Sequence, residues 1–200
     1  METFHYAHLP DNLAHVHLAL FHDVSNAAQI RQRIVRASQL EGPDGDKERE
    51  AVNFAFVDAR LITSLLHLQT AVYQAILAAV RGALRTKTVH SEIIWALSPN
   101  NNITEAIRRF GVSDTTQSLL VARVGPSGGT SIEGHMKAVV TGNVLPLADL
   151  PKLTDWAIVK KYYKLNADPA LKAPGLSQDQ QQLIANDIIV STVAMKSVAS

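Results

Sequence analysis

The chain contains no cysteine in its 200 residues. Disulfides are therefore excluded, and so are the thiolate zinc centres of finger and ribbon domains. That absence suits a reducing compartment, and cytoplasm and nucleus are the expected locations. Long hydrophobic runs are also absent: nothing approaches the ~18 continuous apolar residues that span a bilayer, so no membrane partner is expected. The opening METFHYAHLP has no basic-then-apolar pattern and does not read as a secretory leader. Charge of one sign is lacking as well. Nineteen Lys and Arg against 18 Asp and Glu leave a formal +1, so nucleic-acid binding requires a local patch rather than bulk charge. The common catalytic signatures are missing too: no phosphate-binding P-loop, no dinucleotide G-x-G-x-x-G after a strand, no nucleophile elbow and no H-E-x-x-H. No motif calls for a cofactor, and no internal repeat is found.

What is present fits one domain of ordinary size with a real core, since 46% of the residues are hydrophobic. In HVHLALF (15–21), Val16, Leu18 and Leu20 alternate with His15 and His17, which predicts a half-buried strand. FHYAHLP before it is its expected hairpin partner, turning at Pro10-Asp11-Asn12. Ser25 or Asn26 caps a helix over 27–37 with Ile30, Ile34 and Val35 inward. Residues 41–50, EGPDGDKERE, read as a solvated loop insertion. AFVDARLI is a short extended entry to the longest periodic segment, about 60–84, where Leu61, Leu65, Leu68, Val72, Ile76, Ala79 and Ala83 define one helical face. EIIWAL (92–97) has no polar member inside it and stops at Pro99, so it reads as a central strand. SLLVARV (118–124) is another strand, PSGGTS (126–131) a flexible turn, 131–141 a helix stopped by Gly142, and 154–165 a further amphipathic helix. Residues 166–176 read as a linker, and Ser177 to Gln180 as the capping box of a final helix. The pattern predicts a single α/β domain of the α+β type.

Three constellations merit chemical weighing. His15 and His17 share a strand face, with His22 near; a zinc site needs a third ligand and a supporting shell, and a polar outer strand face is the better reading. Asp58 and Arg60 are suited to an ion pair of little energetic weight. The third is Ser91–Gly111, SEIIWALSPNNNITEAIRRFG, with its basic lead-in from Arg81. Five cations (Arg81, Arg85, Lys87, Arg108 and Arg109) face two carboxylates (Glu92 and Glu105), a local +3. Clustered cations release counterions on binding phosphate. The helix starting at Ile103 directs its first amides toward Asn100, Asn101 and Asn102, whose amides suit base edges or 2′-hydroxyls. The plainer alternative is that Asn102 caps, with Glu105 completing the capping box, Asn100 and Asn101 turn the chain, and Gly111 ends the helix in the left-handed conformation. The last helix carries Ile184, Ile188 and Met195 on one stripe, widened by Leu183, Ile189 and Val190; it either closes the core or docks on another protein.

SEIIWALSPNNNITEAIRRFGV strongly resembles the hallmark segment of the small KEOPS subunit, the PRPK-binding protein family, and points to a fungal member. LALFHDVSNAAQIR, FAFVDARLI, LRTKTVHSE and VKKYYKL agree in order and spacing. The resemblance spans about residues 4–165 and is weakest in the last helix. It implies a small, mostly antiparallel sheet covered by about six helices. It also implies an accessory protein rather than an enzyme, in the complex that adds threonylcarbamoyl to the tRNA adenosine beside the anticodon. Its implied partners are the PRPK-type atypical kinase/ATPase, the single-stranded 3′ CCA end of tRNA, and, indirectly, the other subunits. In fungi the complex is also tied to telomere maintenance and transcription. Carried onto this chain, the expected tRNA contacts are Arg85, Lys87, Asn100, Asn101, Asn102, Arg108 and Arg109. The expected kinase contacts are Ile184, Ile188 and Met195.

Overall fold

The computed structural model describes residues 1–127 and 132–199, the side chains of 198 and 199 excepted. Strands β1 (Glu2–His5), β2 (His15–His22), β3 (Ala55–Asp58), β4 (Leu119–Gly125) and β5 (Asn143–Leu145) form one antiparallel sheet in the order β1-β2-β4-β3. The short β5 pairs with β2 beyond the end of β1. The first hairpin forms as the sequence predicts, with His5 opposite His15. Alternation in β2 sorts its side chains onto two buried faces. Val16, Leu18 and Leu20 enter one core with Val57, Leu120 and Ala122. Ala19 and Phe21 enter a second with Phe56 and Val121. Each large apolar side chain so buried contributes about 1.5–3 kcal/mol.

The second face is covered by α1 (Ala27–Gln39) and α6 (Ile132–Val139), through Ile30, Ala37, Met136 and Val139. Asn26 stands at the head of α1, but its amide is spent on the Val139 carbonyl and the Thr141 N–H, so it ties α1 to the end of α6. Val35, expected inward, is exposed, and Ile34 is half-buried. Residues 41–50, expected as a loop, lie almost wholly in α2 (Gly42–Ala51). Its composition gives no core signal, and tertiary hydrogen bonds hold it instead: Arg33 clasps Glu48 at 2.7 Å, and Arg49 donates to the Ala37 and Leu40 carbonyls. The expected Pro126–Ser131 turn falls largely outside the described residues.

The first face carries α3 (Leu65–Val80), α4 (Val89–Leu97), α5 (Ile103–Phe110), α7 (Trp156–Tyr162) and α8 (Gln178–Ala199). The α3 helix is shorter than predicted at both ends. Asp58 accepts the Arg60 N–H and pairs with its guanidinium at 2.7 Å, making a separate 3-10 turn at Ala59–Leu61. At the far end Gly82, with φ of 63°, closes a Schellman cap: its N–H reaches Ala79 and that of Ala83 reaches Ala78. Arg81 and Arg85 thus lie past the helix rather than on its last turns. The stretch expected as a linker, 166–176, is partly structured: 3-10 turns at Leu165–Ala167 and Pro169–Leu171 bury Leu165 and Leu171.

The largest correction concerns EIIWAL, which lies in α4 and not in a strand. Thr88 accepts the Ser91 N–H while the Ser91 hydroxyl accepts the Thr88 N–H, a reciprocal cap that starts a helix. The helix is buried on nearly every side between α3, α5 and β3, which erases the polar–apolar period that distinguishes helix from strand. Gly111 ends α5 as expected but with φ of −77°. Its need for glycine is steric: a Cβ there would stand 2.5 Å from the Ile107 carbonyl oxygen.

A buried polar chain locks four elements of this face. The Thr63 N–H donates to Nδ1 of His67, so the His67 Nε2–H donates to the Tyr163 hydroxyl at 3.1 Å. The Tyr163 O–H in turn donates to the Leu97 carbonyl, and the Thr63 hydroxyl donates to Asn186 on α8 at 2.8 Å. Burial drops the His67 pKa to about 3, so it stays neutral.

Candidate nucleic-acid interface

Part of the Arg81–Gly111 segment lines a groove where the C-terminal half of α3, the Glu92, Trp95 and Ala96 face of α4 and the last turn of α8 meet. Its wall includes Gln74, Ala78, Arg81, Arg85, Trp95 and Lys196. It continues into a hollow lined by Arg85, Trp95, Asn101 and Ile103. The loop between α3 and α4 is shaped by one carboxylate. Glu92, almost fully buried, accepts the Arg85 N–H at 3.1 Å, the Thr86 N–H at 2.8 Å and the Thr86 hydroxyl at 2.7 Å. A buried carboxylate is tolerable only with such partners. Here they fix the exposed loop that carries Arg85, on the groove wall, and Lys87, two residues further along.

The turn after α4 is internally satisfied. The Asn100 side-chain oxygen accepts the Asn102 N–H at 3.1 Å, and its amide donates to Glu105 at 3.3 Å. Asn102 accepts the Glu105 N–H at 2.9 Å, as a cap should. The helix end is therefore less open to an anion than its sequence suggests, because Asn100 and Asn102 spend their groups on the turn. Asn101 differs. Its carbonyl takes the Trp95 indole N–H at 3.3 Å, while its side chain is exposed toward the adjoining hollow.

The two arginines of α5 are also partly committed. Arg109 pairs with Glu105 and lies 4.6 Å from the Tyr162 ring centroid, which makes it a strut between α5 and α7. Its Nε is buried with no hydrogen-bond partner. Arg108 projects outward beside Glu105 at 3.5 Å. The expected contacts thus divide. Arg85 and Asn101 meet in the groove, Lys87 is exposed on the loop that carries Arg85, and Arg108 and Arg109 belong to a separate Glu105-centred cluster. On α8, Ile184 and Ile188 are half-buried against the core, whereas Met195 is 58% and Leu183 65% exposed, so the apolar arc is open near both ends.

Sequence reading missed Lys196. Its Nζ donates to the carbonyls of Trp95, Ser98 (2.6 Å) and Asn100 (2.9 Å), and sits 3.8 Å from the Trp95 ring centroid. Burial lowers its pKa to about 7, with Glu92 pulling the other way. A signal was available: Ala185, Ile189, Val193 and Lys196 step by four, four and three, which puts a lysine on the buried stripe.

The strand face of His15 and His17, expected to be polar and outward, is covered: His15 is half-buried and His17 buried. His17 is buried with Nδ1 on the Thr3 hydroxyl, and desolvation lowers its pKa, with His15 and Arg123 adding to the effect. Among the described residues no three His, Asp or Glu side chains converge in a way that suits a metal ion. No described helix is long and apolar enough to cross a membrane.

Fold and groove define the class: an α+β protein whose helix-covered antiparallel sheet presents a cation-rimmed groove. More narrowly, the chain belongs to the kinase binding protein CGI-121 family, whose model matches residues 21–197. It is 37% identical to the EKC/KEOPS complex subunit CGI121 of Cryptococcus neoformans, across 99% of this chain and all of that protein. It is 34% identical to the subunit of that name from Aspergillus terreus (98% and 96% covered). For that of Gibberella zeae the identity is 35%, with 99% of each chain covered.

Proposed function

We propose that the chain is a non-catalytic accessory subunit of a KEOPS complex, binding both the PRPK-type kinase/ATPase and the 3′ CCA end of tRNA. Membership in a family described as kinase binding, with full-length relatives named as KEOPS subunits, carries this reading. In such a complex threonylcarbamoyl transfer is the work of another subunit. The groove supports the tRNA half. An unpaired CCA end offers phosphates to Arg81, Arg85 and Lys87 and base edges to Asn101, and its bases can stack or hydrogen-bond as a duplex cannot.

The test is a gel shift comparing intact tRNA with tRNA trimmed of CCA, with and without the kinase. Intact tRNA should bind more tightly. Replacing Arg81 and Lys87 together by Glu should weaken RNA binding and spare kinase binding. If three phosphates are contacted, the logarithm of affinity should fall against the logarithm of salt with a slope of about −2. Equal affinity for trimmed and intact tRNA would overturn the CCA assignment. The alternative is a scaffold that activates the kinase without touching RNA. The commitment of Arg108 and Arg109 to Glu105 favours it, because it removes two of the five cations from the groove.

A further inference from the structure

We infer that Lys196 is a positioning residue that latches the last turn of α8 to the Ser98–Asn102 turn and so sets the shape of the groove. Three backbone carbonyls converge on one nitrogen. Two of them, Trp95 and Ser98, belong to the end of α4: the Trp95 carbonyl also accepts the Ser98 N–H at 3.1 Å, and the Ser98 carbonyl is among those a helix end leaves without an intrahelical partner. The third, Asn100, lies within the turn whose next residue faces the groove. An ammonium has three N–H groups, one for each carbonyl. It also lies over the Trp95 ring, and Trp95 in turn donates to the Asn101 carbonyl. The chain of contacts therefore runs from Lys196 through Trp95 to Asn101. Lys196 and Ser197 themselves form part of the groove wall.

Without the latch, α8 keeps its apolar stripe on α3 through Ala185, Ile189 and Val193. Its last turn, however, loses its hold on the α4–α5 junction. The charged groups facing the latch are Glu92 from α4, Arg81 after the end of α3, and Arg85 from the following loop, all on the groove wall. Glu92 favours the ammonium and the two arginines oppose it. With burial placing the pKa of Lys196 near 7, the amine above that pH keeps two N–H donors for three carbonyls, and the grip weakens as pH rises.

The consequence for RNA rests on the CCA reading of the groove; the latch itself does not, and two readouts separate them. In a Trp156→Phe background Trp95 is the sole tryptophan, and its emission reports the cation over its ring without any ligand. Emission should titrate with a midpoint near pH 7 and become flat in Lys196→Met. Lys196→Gln, which retains two neutral donors, should also be flat and guards against misfolding of the Met variant. Trp95 emission that is the same in the parent and in both variants at every pH overturns the latch. In the second readout, a CCA-ended oligoribonucleotide should bind Lys196→Met about fivefold or more weakly at pH 6. That deficit should shrink by pH 8.5, where the parent has lost its ammonium. A normal Trp95 titration with equal oligonucleotide binding by parent and variant would refute the positioning role. A normal titration with no CCA preference in the parent would refute the functional reading alone.

Discussion

At the scale of single residues, this protein buries titratable groups in fixed protonation states. His90 shows the logic. The Val124 N–H donates to its Nε2 at 3.0 Å, so its Nδ1–H donates to the Asn53 side-chain oxygen at 2.7 Å. Neither nitrogen has room for another proton, and burial, with Arg123 nearby, lowers its pKa to about 3. His67 has the same value. In the unfolded chain both recover a pKa of about 6.5 and bind protons the folded chain refuses. Stability is therefore complete above about pH 6.5 and is lost as pH falls toward 3. At pH 4.5 the loss should be about 3 kcal/mol for each histidine. Urea titrations between pH 7 and 4.5 measure it. His90→Gln retains one donor and one acceptor and should flatten the pH dependence by about half; an unchanged slope would show that His90 does not stay neutral. None of this was legible in the sequence, because Tyr163, Asn53 and Val124, which fix the two imidazoles, lie 34 or more residues from them along the chain.

At the scale of elements, termini decide more than interiors. The α3 helix ends where Gly82 turns left-handed, and that glycine was visible in the sequence, although the apolar period continuing to Ala83 obscured it. Thr88 and Ser91 were equally visible as a cap, but the unbroken apolar run behind them suggested a strand. Asn102 was read correctly as a cap, a local signal that needs no tertiary context. The expected capping box, however, is not completed: the Asn102 N–H goes to Asn100, and the Glu105 carboxylate goes to Asn100, Arg108 and Arg109. For Gly111 the residue was right and the reason was not. Because its φ is ordinary, Gly111→Ala should cost stability through collision with the Ile107 carbonyl rather than through backbone strain. The expected loss is about 1–3 kcal/mol, seen as a lowered urea midpoint with an unchanged denaturant slope. A neutral substitution would mean that α5 can shift its last turn freely. The Val112 N–H bonded to the Phe56 carbonyl at 3.1 Å argues against that freedom.

At the scale of the whole molecule, β2 and β4 are shared by both cores, since each strand sends alternate residues to opposite faces. Neither layer of helices has a sheet of its own. Urea unfolding followed by tryptophan emission and by far-ultraviolet circular dichroism should therefore give coincident curves. Separated curves would show that the α1–α2–α6 layer comes away independently. The alternating strands, the long apolar helix, the Asn102 cap, the absence of cysteine chemistry and the family resemblance could all be read before any coordinates, because each is written in spacing of a few residues or in composition. Packing between distant segments makes EIIWAL helical, holds 42–51 as a helix through Arg33 and Arg49, and sets Arg109 against Tyr162. It also lets Lys196 close the groove from 94 residues beyond Asn102. Those outcomes depend on which distant carbonyl, ring or carboxylate arrives beside a side chain, and a periodicity counted along one segment holds no information about arrivals from another.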